Sequence, residues 1–288
     1  MLKARFALII GIILISFYPT LVKLNEASTL VAAFYRMFIP SLILLPYLLY
    51  TRVWQYTSTK TLVFALLCGV FFASDIAIWN IAIKESSAAE ATLLVNLAPI
   101  WVGLASYFFL KLPATRNFWI GAVVAVFGMC IMVGFKKLIN FELDRAFFYA
   151  LLAGFFYASY ILFSKKALSE MQVMPFFAIS VLSAAIYLGL WNVFMGTSFV
   201  GFNAQTWLIL FAQGLLVQLL AWLLINYAIK HMRATRVSLS LLSQALLSAL
   251  FAKLFVNEEL SNAMIIGGAF IVSGIAITFL PISPKLKD

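Results

Sequence analysis

Polar side chains interrupt the long apolar runs of this sequence at only a few places, and those residues could do chemistry. Asp75 lies well inside one run, and Trp79 follows one helical turn later on the same face. In another run Gln218, Trp222 and Asn226 recur every four residues, which places them on one helix face. A carboxylate can bind an ammonium group or carry a proton, and an indole flanked by amides suits an organic solute. Buried structural hydrogen bonding between helices is the alternative for each of them.

Three further residues mark interruptions of the apolar runs. Asn96 and Pro99 interrupt one run, and a proline there kinks the helix, which either shapes a cavity or only curves the span. Gln244 lies in the corresponding region of the second half of the chain. We therefore place Asn96 and Gln244 among the candidate binding residues and Pro99 among the gating or structural ones. Asn80 and Asn226, which correspond to each other in the two halves, are also expected to be gating or structural residues.

Arg36 is the one basic residue inside an apolar run. It lies a turn or two from the end of that run, so its long side chain could reach the outer interface along apolar surface. It could also bind a carboxylate through two parallel hydrogen bonds. We expect a gating or structural role.

Composition assigns the chain to a membrane. It has 288 residues, of which 65% are hydrophobic and 10% charged, whereas soluble domains carry about 25% charged residues. The apolar runs are continuous rather than alternating, which predicts helices and excludes a membrane barrel. Ten spans are predicted near residues 4–22, 30–50, 61–84, 87–110, 117–135, 146–168, 174–195, 205–229, 234–256 and 262–281.

The chemistry-bearing residues do not suggest an enzyme or a metal site. Cys68 and Cys130 fall inside apolar runs, and the single histidine, His231, lies in a loop. These residues do not have the spacing of metal ligands. We expect no catalytic residue, no metal and no cofactor. The first run follows a basic start but precedes no small-residue cleavage site, so we expect a retained first span.

Lysine and arginine placement predicts the orientation. With the N-terminus inside, thirteen basic residues lie on the cytoplasmic side and six outside. This bias favours a multi-pass protein of the bacterial inner membrane with both termini in the cytoplasm. It also accounts for the net charge of +10 without nucleic acid, because loop cations face anionic headgroups.

The chain repeats itself internally. When residues 80–131 are placed on 226–277, an offset of 146 with no gap, thirteen of 52 positions are identical; shared apolar composition would give about four or five. Division into residues 1–138 and 139–288 gives five spans each, and an odd number forces the halves into opposite orientations. We therefore predict an all-α membrane protein with ten transmembrane helices in two inverted five-helix repeats, an architecture common among alternating-access carriers.

Several stretches resemble EamA-type members of the drug/metabolite transporter superfamily. These are residues 23–37, the run from Ala77 through Pro99 to Gly128, and in the second half residues 218–239 and 257–267. The resemblance implies two EamA repeats, cytoplasmic termini and transport of a small metabolite. Three positions depart from the pattern. Leu112 stands where an acidic residue is usual, and Gln244 and Ala245 replace a Glu-Pro pair.

The predicted function is a secondary transporter that moves a small organic metabolite by alternating access. One acidic residue, one arginine and an amide-and-indole surface favour an amino acid or a related compound. Asp75 leaves proton coupling open, and neither the direction of transport nor the substrate is indicated. The expected partners are the solute and membrane lipids, with a homodimer left open. The alternative is a membrane scaffold or receptor that transports nothing.

Overall fold

Helices form the whole regular structure in the part of the chain that the structure, a computed structural model, describes: residues 2–55, 57–85, 94–133, 145–256 and 261–280. The α-helices are α1 Leu2–Ile15, α2 Tyr18–Lys23, α3 Thr29–Thr51, α4 Thr59–Glu85, α5 Ala98–Leu110, α6 Arg116–Val133, α7 Arg145–Leu168, α8 Val173–Phe194, α9 Ala204–Ala212, α10 Trp222–His231, α11 Ala234–Leu241, α12 Ser243–Val256 and α13 Asn262–Phe279. A π-helix over Gln213–Ala221 joins α9 to α10 without interruption, and Val53–Gln55 is a 3₁₀ turn.

The described helices overlap the predicted spans, and residues 87–93 of the predicted span 87–110 lie outside the described residues. Within the described residues, eight helical segments are long and apolar enough to cross a membrane, and Ala98–Leu110 and Arg116–Met132 are shorter apolar helices. An apolar run of about 20 residues matches the thickness of the hydrocarbon core, which explains why hydropathy located these elements. The prediction of an all-α membrane protein is confirmed. The count of ten spans and their inverted arrangement stay predictions.

Short polar residues set several helix starts. The hydroxyl of Ser28 accepts a hydrogen bond from the Val31 N–H at 3.4 Å, and the Asn203 side chain accepts one from the Thr206 N–H at 2.8 Å. Such caps satisfy N–H groups that have no partner inside the helix. They lie at the junction of loop and span, where the sequence changes from polar to apolar.

Two spans are broken near a proline. Because Pro19 has no N–H, the helix stops at Ile15 and resumes at Tyr18. The carbonyl of Ser16 in the gap accepts a hydrogen bond from the Ser248 hydroxyl at 3.0 Å. The predicted interruption at Asn96 and Pro99 is also present, because a turn at residues 96 and 97 precedes α5.

A third break lies at Leu242, between α11 and α12, where the sequence has no proline. Leu242 is 146 residues after Asn96, which is the offset of the internal repeat. The two halves therefore interrupt their helices at corresponding positions, although only the first half has Pro99 to explain it. Interrupted helices in membrane proteins expose backbone polar groups that must face protein or a cavity.

The main packing contacts join the first half of the chain to the second. α4 packs along α7, α3 along α8, α1 along α10, and α6 along α13. The largest buried cluster contains residues from both halves, including Met37, Phe72, Tyr160 and Trp222. The core of the molecule is therefore the interface between the halves.

Paired glycines bring α6 and α13 into backbone contact. A Cβ on Gly121 would collide with the carbonyl oxygen of Gly274, and one on Gly128 would collide with that of Gly267. The earlier glycine of α6 faces the later glycine of α13, so the two helices run antiparallel. Small residues at both crossings allow this close approach, as is common between membrane helices.

We predict that Gly121→Ala destabilises the protein. The new methyl group meets the Gly274 carbonyl oxygen and the Thr278 side chain, and such overpacking costs about 1–3 kcal/mol. Thermal unfolding in detergent should show a lower midpoint. Val123→Leu, on the same helix at a side chain that is 69% exposed, is the control and should leave the midpoint unchanged. Equal midpoints for Gly121→Ala and the wild type would contradict the packing.

Candidate functional site

Arg36 lies in the interior of the bundle. Its side chain is 3% exposed, and its Nε donates a hydrogen bond to Gln218 Oε1 at 2.9 Å. The guanidinium carbon lies 4.2 Å from the ring centroid of Tyr18. A charge-assisted hydrogen bond and a cation–π contact offset part of the cost of removing this cation from water. The alternative in which Arg36 reaches the outer interface is therefore wrong, because the side chain turns inward.

Asp75 faces the same region from α4. It is buried, with 8% of its surface exposed, and its carboxylate interacts electrostatically with Arg36. Phe72, one turn earlier on α4, lies 5.6 Å from the Arg36 guanidinium carbon. The structure records no direct ion pair between these two described residues. Arg36 and Asp75 thus lie in one region of the interior without forming an ion pair.

Aromatic rings form one wall of this region. The Trp222 indole is 1% exposed, and its centroid lies 4.6 Å from that of Phe72, 5.2 Å from Tyr160 and 6.3 Å from Tyr157. Edge-to-face contacts of this kind rigidify a cluster. Within the described residues the Trp222 indole N–H has no hydrogen-bond acceptor. An enclosed donor without a partner carries a desolvation cost that a bound polar group would remove.

Asn226 completes the predicted stripe, and its amide is hydrogen-bonded inside the protein. Its Oδ1 accepts a hydrogen bond from the Tyr160 hydroxyl at 3.0 Å, and its Nδ2 donates to the Trp222 carbonyl at 2.8 Å. The first bond restrains the Tyr160 ring, and the second joins the Asn226 side chain to the backbone one helical turn earlier. Gln218, Trp222 and Asn226 are all buried, so the spacing of four residues located one interior face correctly.

Gln213 is a buried polar residue that the sequence argument missed. It is 0% exposed, and among the described residues neither its amide oxygen nor its amide nitrogen has a hydrogen-bond partner. The residue precedes Gln218 by five positions, which does not fit the α-helical repeat of the stripe. It does fit the π-helix of Gln213–Ala221, in which hydrogen bonds span five residues. The sequence feature that could have identified Gln213 is that it is a second glutamine in the same apolar run as Gln218.

The remaining candidates lie elsewhere in the bundle. Trp79 packs against the small cluster of Ala82, Leu94 and Ala150 as well as the main core, and its indole nitrogen has no acceptor among the described residues. Pro99 is buried, and Asn96 is half-buried in the turn before α5.

Gln244 is half-buried on α12, two residues after the break at Leu242. No hydrogen bond joins it to Arg36 or Gln218 within the described residues. The side chain of Asn80 lies outside the part of the chain that the structure describes.

The structure therefore brings together Arg36, Asp75, Gln218, Trp222 and Asn226, but it does not place Gln244 beside them. We call these five residues, with Tyr18, Phe72 and Tyr160, the central cluster.

A bundle of long apolar helices that encloses a charged and aromatic centre defines a multi-pass membrane protein. The profile of the EamA-like transporter family matches residues 2–134 and again 144–280. The chain therefore belongs to the EamA-like transporter family, which is part of the drug/metabolite transporter superfamily. The predicted membership is confirmed.

Similar proteins are also named as transporters. A Bacillus subtilis protein named uncharacterized transporter YdfC is 23% identical over 256 residues, covering 88% of this chain and 83% of its own length. An Archaeoglobus fulgidus protein named uncharacterized transporter is 24% identical over 275 residues and covers 95% of both chains. A solved crystal structure covers 99% of both chains with a TM-score of 0.80 at 19% identity, which shows the shared fold alone.

The two buried glutamines predict opposite effects of the same substitution. Gln213→Leu removes an amide that has no partner and should raise the free energy of unfolding by about 1–3 kcal/mol. Gln218→Leu leaves the Arg36 Nε without its acceptor and should lower it by a similar or larger amount. Thermal or denaturant unfolding in detergent measures both. A destabilised Gln213→Leu variant would show that the amide has a partner.

Proposed function

We propose that the chain is a secondary transporter of the bacterial inner membrane that moves a small organic metabolite by alternating access. An amino acid or a related compound is the favoured solute. The observation that carries this proposal is that Arg36 and Asp75 are both buried in one region, beside aromatic rings at the interface of the halves. Both charges come from the first half, whereas Gln218, Tyr160 and Trp222 come from the second.

Arg36 and Asp75 offer partners for the two ends of a zwitterion. Arg36 uses its Nε to hold Gln218, which leaves the two terminal nitrogens as a pair of donors for a carboxylate. Asp75 lies near enough to interact electrostatically with Arg36, and its carboxylate can receive an ammonium group. The rings of Phe72 and Trp222 supply apolar contact for the rest of the solute.

The arrangement of the halves supports alternating access. We propose ten spans in two inverted five-helix repeats, residues 1–138 and 139–288, with both termini cytoplasmic. The family profile matches each half separately, and both halves have a helix break at corresponding positions, 96 and 242. The antiparallel glycine contact of α6 with α13 fits helices that occupy equivalent places in oppositely oriented repeats. In such carriers the halves rock around a site at their interface.

A ligand screen followed by counterflow tests the proposal. The purified protein is heated with pools of amino acids and related metabolites, and solutes that raise the unfolding midpoint are carried forward. Proteoliposomes preloaded with such a solute should then accumulate the labelled form transiently, and protein-free liposomes should not. No stabilising solute and no counterflow would favour the alternative of a scaffold or receptor without transport.

If the Arg36 guanidinium binds the solute carboxylate, we predict that a lysine at this position binds the solute more weakly. Arg36→Lys keeps the charge but loses the two-pronged donor and the guanidinium contact with the Tyr18 ring, so the affinity for the solute should fall about tenfold or more. Binding is measured by thermal shift across solute concentrations. Arg116→Lys, at an exposed position, is the matched control and should bind like the wild type. An Arg36→Lys variant with unchanged affinity would exclude carboxylate recognition by this residue.

Asp75 predicts the pH dependence of transport. Asparagine has the same shape but no titratable proton, so Asp75→Asn should abolish the pH dependence of uptake or efflux if this carboxylate carries the coupled proton. Transport in proteoliposomes is compared at several pH values. Glu170→Gln, at a carboxylate that accepts a hydrogen bond from Thr61 near the start of α4, should keep the wild-type profile. A wild-type profile in Asp75→Asn would remove it from proton coupling.

A further inference from the structure

Two arginines lie over the same aromatic ring at one end of the bundle. Arg5 comes from α1 and Arg236 from α11, and their guanidinium carbons lie 5.3 and 5.4 Å from the ring centroid of Phe279. The Nε of Arg236 also donates to the Thr278 carbonyl at 3.2 Å. That bond uses a carbonyl at the end of the last helix and fixes the position of the guanidinium.

A third arginine adds positive charge to this place. Arg233 lies one turn before Arg236, and both Arg233 and Arg5 interact electrostatically with Arg236. We call Arg5, Arg233 and Arg236 the arginine cluster. Within the described part of the chain, the structure records no carboxylate in an ion pair with any of them. Three neighbouring like charges repel one another, so an anion placed among them is stabilised.

The surroundings indicate what kind of anion fits. Next to the arginine cluster the outward face of α1 exposes Leu2 (68%) and Phe6 (57%), and Leu280 after α13 is 55% exposed. Large apolar side chains with that exposure face lipid tails in a membrane protein. The arginine cluster therefore lies where the apolar exterior of the bundle meets water. A molecule with an anionic head and an apolar tail matches both parts.

We propose that the arginine cluster binds the phosphodiester headgroup of an acidic phospholipid. The guanidinium groups donate to the phosphate oxygens, for which arginine geometry is well suited. One acyl chain lies along the exposed apolar face of α1. This site is separate from the central cluster, and it does not depend on which solute is transported.

Lipid titration followed by native mass spectrometry tests the site. The purified protein in detergent is titrated with phosphatidylglycerol or with phosphatidylcholine, and retained lipid is counted at each concentration. The wild type should retain phosphatidylglycerol at lower concentrations than phosphatidylcholine. Arg5→Gln, which breaks no recorded hydrogen bond, should weaken phosphatidylglycerol binding roughly five- to tenfold. Arg236→Gln should weaken it at least as much.

Lys60 provides the matched control. It is a single cation over an aromatic ring, with its Nζ 5.9 Å from the centroid of Phe64, and it is exposed. Lys60→Gln removes one charge as Arg5→Gln does, and it should leave phosphatidylglycerol binding unchanged. Equal binding by Arg5→Gln and the wild type, or equal binding of both lipids, would overturn the proposal. Displacement of the lipid by inorganic phosphate at equal concentration would overturn the assignment to a lipid.

Discussion

The burial of a guanidinium in an apolar bundle is the constraint on which the centre of this molecule depends. A charged side chain deep in a membrane costs on the order of 2.5–3.5 kcal/mol on insertion scales, so it persists only where partners compensate it. Arg36 has an amide acceptor from the other half of the chain, the faces of Tyr18 and Phe72, and the field of Asp75. These partners come from three membrane segments other than the one that carries Arg36. Holding one cation therefore holds the halves in register.

Two of the irregular helix segments contact this charge. The π-helix of Gln213–Ala221 presents Gln218 to Arg36, and the break before α2 lies beside Tyr18. A continuous α-helix pairs its own backbone N–H and C=O groups. A break or a π-segment leaves some of these groups to find partners elsewhere in the protein. The Ser16 carbonyl has such a partner in Ser248. We interpret these irregularities as part of the same functional region, because regular helices alone would have sufficed for a packed bundle.

Hydropathy predicted the helical membrane fold, but it could not predict the direction in which individual side chains point. Spans follow from the length of apolar runs, and helix geometry put Gln218, Trp222 and Asn226 on one buried face. The inward turn of Arg36 was not predictable, because its acceptor is 182 residues away in the sequence. Gln213 was missed for a local reason. A π-helix changes the residue spacing of a face, and no pattern in this sequence marks where one begins.

The central claim is that Arg36 binds a carboxylate of the transported solute. The most direct test compares the binding of a solute obtained from the screen with that of its methyl ester, in the wild type and in Arg36→Met. In the wild type the ester should bind at least about tenfold more weakly, because it has lost the anionic partner of the guanidinium. In Arg36→Met the acid and the ester should bind equally weakly. An ester that binds the wild type as tightly as the acid would contradict the account.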